Sequence, residues 1–374
     1  MASFPIDGTS YSSSWILKAL PFEEIQESDV TNVTISNIND GNGFVSQILK
    51  VTIHLLRSPN PISVILKVPD SKLIHDSFAE TAQDGNAAYF NREIEFYRAF
   101  LPHLTIPIPQ IFKTALWVPG VSTGALLMED LSQSCYIQAV SHGLSLEQLL
   151  AIAGHLAELH NSYLALDDRL KVDFERKFAV LEDCIEFRTA LFPSKAEELK
   201  RKFPRLVDDA KTAAVTRFLK NPAYHRYSSA GVSESLGLPR VPVHGDLWSN
   251  NILWRNGADS TVIGAFLDWQ GFFIGNLAFD LSRILVLCTS ATVRREHTAA
   301  VISHYYGKLQ KPQFTEDTVV KAVQETMPYQ CAHMMFVIML LESSYSKTEF
   351  DEMLSRVVAV LDDLCGHESM FEEE

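Results

Sequence analysis

The chain has 374 residues, is 47% hydrophobic and carries a formal net charge of −14. That length and apolar content support a large core and more than one lobe, while the acidic balance argues against nucleic acid as a main partner, because phosphate backbones need clustered Lys and Arg. The five cysteines, Cys135, Cys184, Cys288, Cys331 and Cys365, are widely spaced without a C-x-x-C pair, which points away from zinc and a disulfide framework and toward a reducing cytoplasmic setting.

No basic segment followed by an apolar run opens the sequence, so no signal peptide is expected. The longest apolar run near the C-terminus, 334–341, falls far short of the roughly 20 residues that span a bilayer, so no membrane span is expected. Residues 14–30 predict a short helical start and a polar break. Val33-Thr34-Ile35-Ser36-Asn37-Ile38 is a β-branched, alternating strand. Asn39-Asp40-Gly41-Asn42-Gly43 is a turn, 44–56 a second strand, Pro59-Asn60-Pro61 another turn, and 62–68 a third strand. Gly41 and Gly43 have two readings. One is an ordinary hairpin turn. The other is a loop covering nucleotide phosphates, where missing side chains let backbone N–H groups approach.

Lys67 sits in Val64-Ile65-Leu66-Lys67-Val68, with apolar residues on both sides. An ammonium there must be paired, reach a ligand, or snorkel to water, because burying it alone is costly. Residues 86–101 predict a helix with Phe90, Ile94, Tyr97 and Leu101 on one stripe. At about 100° per residue, Glu93 falls at the edge of that inward stripe and Glu95 on the other side, so Glu93 is the expected partner of Lys67. A proline-rich turn covers 102–109. The strand Ala125-Leu126-Leu127-Met128 then runs into Glu129-Asp130-Leu131. This reads either as a plain strand end or as a hinge whose backbone, at Glu129 and Leu131, meets a nucleotide base.

Ser145-Leu146-Glu147-Gln148 has a capping-box pattern and opens a helix striped with Leu149, Ile152, Ala153, Leu156 and Leu159. His160 at its end reads as structural. Residues 165–240 predict mixed helical segments. Glu186, Arg188, Phe192 and Phe203 are conceivable substrate-site residues there, with no pattern separating them from helix surface and core.

The most informative stretch is Val243-His244-Gly245-Asp246-Leu247-Trp248-Ser249-Asn250-Asn251-Ile252-Leu253. It reads as strand, polar loop, strand, a layout that presents side chains rather than burying them. Asp246 and Asn251 have the His-x-Asp-x-x-x-x-Asn spacing of a kinase catalytic loop, in which the Asp accepts the proton of the attacking hydroxyl and the Asn holds magnesium. His244 would brace the loop. Asp268, in Leu267-Asp268-Trp269-Gln270, stands where the main magnesium-binding carboxylate is expected, and a carboxylate suits a hard cation. In this pattern Lys67 takes the place of the third-strand Lys at the nucleotide phosphates. Asp280, in Leu277-Ala278-Phe279-Asp280-Leu281-Ser282-Arg283, opens an apolar helix. Buried, it needs partners, either backbone N–H groups of the catalytic loop or Arg283; exposed, it is an ordinary N-terminal-turn Asp. Residues 294–365 predict further helices.

Together with Met128-Glu129-Asp130-Leu131 and the helix around Glu93, these stretches resemble the aminoglycoside phosphotransferase and choline kinase group. The nearest likeness is to its ecdysteroid-kinase-like, or CHK kinase-like, branch and the nematode-expanded subfamily within it. The resemblance runs from about residue 30 to 365. It implies an α+β, two-lobed protein-kinase-like fold. The N-lobe, 1–130, would hold a small antiparallel sheet and one main helix. The C-lobe, 131–374, would be mostly helical. It also implies ATP and magnesium as cofactors and a hydroxylated small molecule, steroid-like or amino-alcohol-like, as phosphoryl acceptor. The alternative is a catalytically silent nucleotide-binding scaffold. Trp269-Gln270 follows Asp268 in place of Phe-Gly, no Ala-Pro-Glu follows, and Trp248 stands where protein kinases carry Lys. These departures disfavour a peptide acceptor.

Overall fold

The computed structural model describes residues 3–22, 25–38, 46–69, 83–103, 105–257 and 261–373. The chain divides into two compact units, Met1–Pro102 with Ile108–Ser134, and His103–Pro107 with Cys135–Glu374. Gly41 and Gly43 lie outside the described residues.

The first unit is built on an antiparallel sheet. A short helix, α1 (Ser13–Leu17), precedes β1 (Val30–Asn37), β2 (Ser46–Leu55) and β3 (Ser58–Pro69). Then come α2 (Gln83–Ala99), β4 (Ile111–Ala115) and β5 (Ala125–Glu129), and the strand order is β1-β2-β3-β5-β4. Period-2 alternation sorts the side chains of β3. Val64, Leu66 and Val68 join Leu49, Val51, Ile53, Leu127 and Ile16 in one apolar cluster. Ile65 and Lys67 therefore point to the opposite face. Helix α2 buries Phe90, Ile94 and Tyr97, as its stripe predicts, and Glu93 with them.

Three local features differ from the sequence reading. Helix α2 ends at Ala99, so Leu101, expected on its buried stripe, falls beyond it and is only partly buried. The turn expected at Pro59-Asn60-Pro61 is the opening of β3, and the reversal falls at Leu56 and Arg57, with Leu55 facing Ser58. The prolines are tolerated because the register shifts beside them and β5 pairs with β3 only from Val64 onward, so this stretch has a strand on one side only. Strand β4 is not expected from the sequence. Its Lys113 and Thr114 break the alternation that marks a strand, and its register with β5 is irregular.

The second unit is mostly helical. It begins with β6 (Cys135–Ile137) and α3 (Leu146–Leu164). Ser145 and Gln148 cap α3 reciprocally, side chain to backbone N–H in both directions. Its buried stripe is the expected one, and it packs on α10. After α4 (Asp168–Lys177), α5 (Glu182–Lys202), α6 (Asp209–Thr216), α7 (Pro222–Arg226) and α8 (Val232–Ser235) come the short strands that carry the loops of interest. β7 (Arg240–Val243) pairs antiparallel with β10 (Phe273–Asn276), and β8 (Ile252–Arg255) lies between β6 and β9 (Ile263–Phe266). The helices α9 (Phe279–Leu287), α10 (Ala291–Lys308), α11 (Glu316–Leu340) and α12 (Lys347–Asp363) complete the unit. Every residue of α9 is buried. His160 is structural: its ring nitrogens meet the Tyr305 hydroxyl at 2.7 Å and the Pro242 carbonyl at 3.0 Å. No helix among the described residues is long and apolar enough to cross a membrane.

Candidate active site

In the first unit, Lys67 occupies a central strand, opposite Ile48 on one side and Leu126 on the other. Its Nζ lies 2.7 Å from Glu93 Oε2, and the two side chains are 5% and 2% exposed. The Tyr97 hydroxyl donates to the other carboxylate oxygen of Glu93 at 3.3 Å. Glu95 is only half-buried and lies 3.8 Å from Arg98, as its position on the helix predicts. At the end of β5, Glu129 accepts the Gln110 N–H through its side chain, while Asp130 binds Lys50, Ser63 and the Ser132 N–H. These bonds hold the Asp130 carboxyl down at about 2, against the opposing effect of its burial. Leu131 is buried.

In the second unit, β7 delivers loop 244–251 and β9 delivers the segment around Asp268. The two are tied together, because Leu267 N–H donates to the Asn251 carbonyl at 2.9 Å and His244 Nε2 to the Leu267 carbonyl at 2.8 Å. With its Nε2 proton committed there, His244 accepts the Asp246 N–H at Nδ1, 3.3 Å away. The ring packs on Trp269 with centroids 4.5 Å apart. Burial pushes His244 down to about 4, so the ring is neutral and acts as a brace.

Gly245 has φ +80°, and a Cβ there would fall 2.1 Å from the Gly271 carbonyl oxygen, so only glycine fits this crossing of the two segments. Asp268 also adopts the left-handed region, at φ 63° and ψ 64°. For a residue with a side chain this costs energy and recurs at functional sites. Gln270 Nε2 donates to its Oδ2 at 3.2 Å.

Asp246 keeps 29% of its side chain exposed. Asn251 Nδ2 donates to the Asp246 carbonyl at 2.8 Å and to Asp246 Oδ2 at 3.3 Å. With its nitrogen so engaged, Asn251 offers its amide oxygen to other partners. Burial raises the Asp246 carboxyl above its ordinary range, the Arg283 guanidinium opposes that rise, and the charge of Asp268 adds to it.

Asp280 is buried, and its two oxygens accept the His244 N–H at 2.7 Å and the Gly245 N–H at 3.1 Å. Of the two partner sets expected for it, the loop N–H groups are the ones bonded. Arg283 goes elsewhere: its Nη1 lies 2.9 Å from Asp246 Oδ1. The sequence reading names Arg283 only as a possible partner of Asp280 and misses its place beside Asp246. The available signal is a second charge one turn after Asp280 in an otherwise apolar helix.

Among the acceptor-side candidates, Phe192 is buried in an aromatic group with His225, Tyr329, His333 and Phe336. Arg188 donates to the Tyr329 hydroxyl at 3.4 Å. Phe203 packs on Phe350, and Glu186 is exposed.

Residues 40–315 match the model of the ecdysteroid kinase-like family. The chain belongs to that family. Two Caenorhabditis elegans proteins are similar to it. One, named "Uncharacterized kinase-like protein D1044.1", is 24% identical over 385 residues, covering 93% of this chain and 97% of the relative. The other, "Uncharacterized oxidoreductase dhs-27", is 23% identical over 366 residues, covering 90% of this chain, which spans only 43% of that relative's length. Among solved structures, the GDP complex of wild-type aminoglycoside 2'-phosphotransferase-IIIa aligns at TM-score 0.51 with 16% identity, covering 91% of this chain and 95% of that one. A GDP and kanamycin complex of APH(2")-IIIa aligns at TM-score 0.51 with 15% identity, covering 94% and 96%. The fold is thus α+β and kinase-like, with an antiparallel sheet in the first unit and a mainly helical second unit.

Proposed function

We propose that this protein is an ATP-dependent small-molecule kinase, moving the γ-phosphoryl group of ATP to a hydroxyl of a steroid-like or amino-alcohol-like acceptor in the cytoplasm. The observation that carries the reading is the geometry of loop 244–251. A partly exposed carboxylate, Asp246, is held by fixed donors beside Asn251, and Asp268 is held in a strained backbone conformation on the segment tied to that loop.

The donor set suits magnesium. The Asp268 carboxylate and the Asn251 amide oxygen are hard ligands, the kind that hold a cation by one or two protein groups plus substrate phosphates. Magnesium held by Asp268 and Asn251 would neutralise charge on the transferring phosphoryl group. Asp246 orients the acceptor hydroxyl and takes its proton late in a loose transition state. His244 and Asp280 keep the loop backbone in place. Lys67, paired with Glu93, is the cation assigned to the nucleotide phosphates and the backbone of Glu129 and Leu131 is assigned to the base, while Gly41 and Gly43 keep the phosphate-covering reading given to them from the sequence. The division into an N-lobe, 1–130, and a C-lobe, 131–374, belongs to the same reading.

The test is a metabolite-extract phosphorylation screen with Mg-ATP read by mass spectrometry, followed by Asp246→Asn on the acceptor found. General-base help is worth about 10²–10⁴-fold, so turnover should fall by that factor with nucleotide affinity nearly unchanged. Near-wild-type turnover would remove Asp246 from the chemistry. Nucleotide binding with no phosphorylated product would favour the silent scaffold, a reading opposed by the joint presence of Lys67, Asp246, Asn251 and Asp268.

A further inference from the structure

We infer that Arg283 is a positioning residue for Asp246, so that helix α9 sets both the backbone and the reacting carboxylate of loop 244–251. This rests on the reading of Asp246 as the acceptor-side base. Asp280 and Arg283 lie three apart and share one helix face. Asp280 fixes the loop backbone through the His244 and Gly245 N–H groups. Arg283 reaches past it to Asp246 Oδ1 at 2.9 Å, while Asn251 takes Oδ2 at 3.3 Å. Each carboxylate oxygen thus has one donor on the protein side, and the exposed edge of Asp246 is left in a single orientation for a hydroxyl.

Arg283 is itself held rigidly. Its side chain is 1% exposed, the guanidinium lies 5.4 Å from the Phe279 ring centroid, and Nη1 is 3.2 Å from the ring nitrogens of His333. Burial keeps His333 well below its ordinary range, so its ring is neutral and adds no charge against the guanidinium.

Stability alone does not account for this arrangement. A buried ion pair is weak evidence for stability, since apolar replacements are often neutral or better. Among the described residues Arg283 Nε is also buried without a hydrogen-bond partner, which is a cost. A planar guanidinium that stays charged gives what a reacting carboxylate requires, which is a fixed direction and a counter-charge that cannot be lost.

The test compares Arg283→Met, which keeps an unbranched apolar stem and loses the charge, with Arg283→Lys, which keeps charge and loses the planar fork. The first readout needs no substrate: crystal structures of the ligand-free variants, read for the orientation of the Asp246 carboxylate. The second is kcat and KM for the wild-type acceptor found by the screen, with Mg-ATP affinity measured separately.

The expected result for Arg283→Met is a displaced or split Asp246 side chain, kcat lower by about 10–10²-fold, the scale of a 1 Å misplacement, and Mg-ATP affinity within about twofold. Arg283→Lys should recover part of kcat. If Arg283→Met does not fold, Arg283→Lys carries the test through the same two readouts. An unmoved Asp246, or full kcat in the folded variant, overturns the inference. If wild type phosphorylates nothing in the screen, the kinase reading fails, and the orientation of Asp246 still decides the role of Arg283.

Discussion

Removing Lys67 exposes the difference between a buried pair kept for the fold and one kept for a ligand. Both members are almost fully buried, with 2.7 Å between the charged atoms. Lys67→Met deletes the cation 2.7 Å from the buried Glu93 carboxylate, which also accepts the Tyr97 hydroxyl at 3.3 Å. Breaking one side of a buried pair costs about 3–5 kcal/mol, whereas replacing both sides by apolar groups is close to neutral. The double variant Lys67→Met/Glu93→Leu should therefore regain most of what the single variant loses. A partner buried this deeply cannot simply turn to water. The assay is urea unfolding without nucleotide, run in parallel with calorimetry of Mg-ATP binding. Nucleotide affinity should fall at least about tenfold in both variants, because apolar repacking supplies no cation for the phosphates. A single variant that loses under about 1 kcal/mol refutes the burial argument. A double variant that regains stability and nucleotide affinity together limits Lys67 to a structural role.

Three further outcomes are expected. Asp268→Ala should abolish magnesium-dependent nucleotide binding while the fold persists, because its carboxylate is assigned to the metal; unchanged Mg-ATP affinity by calorimetry would overturn that assignment. Gly245→Ala should cost upward of about 2 kcal/mol in urea unfolding, since its Cβ would fall 2.1 Å from a backbone oxygen at φ +80°; an unchanged midpoint would mean that the crossing with Gly271 yields easily. Burial depresses His160 to about 3 and His225 to about 4, so both stay neutral in the fold while the unfolded chain takes up protons below about 6.5. Their stabilising contribution is thus complete above that pH and lost as pH falls, by about 2 kcal/mol each between pH 7 and 5. His160→Gln should flatten that slope by about one proton, and an unaltered slope would show that His160 already titrates normally.

The parts of the fold legible in the sequence are those written in local periodicity or local polar chemistry. The 3.6-residue stripe of α2 places Glu93 at the edge of the buried face, and Glu93 is the carboxylate found at Lys67. The Ser145–Gln148 box gives the start of α3 for the same reason, because both halves of the interaction lie within four residues. The Pro59-Asn60-Pro61 turn fails because proline reports only a missing N–H and a fixed φ. A bulged strand with one neighbour satisfies both as well as a turn does. Strand β4 is invisible because its pairing with β5, and not its own sequence, makes it a strand.

The site divides along the same line. Spacing identifies the loop and its candidate metal oxygens, but not the tension that holds them. Nothing near Asp268 announces a left-handed backbone, and nothing near Gly245 announces that Gly271 crosses it. Helix α9 shows most clearly why. In sequence, Asp280 and Arg283 are opposite charges one turn apart, and pairing them with each other is the economical reading. In the fold the two turn to different partners. Asp280 accepts two backbone N–H groups, and Arg283 donates to a carboxylate 37 residues earlier. Burial raises the Asp280 carboxyl to about 6, and the two N–H donors, with the nearby Arg283 charge, offset only part of that rise; the guanidinium makes its direct contact with Asp246, which is partly open and close to the acidic side chain of Asp268.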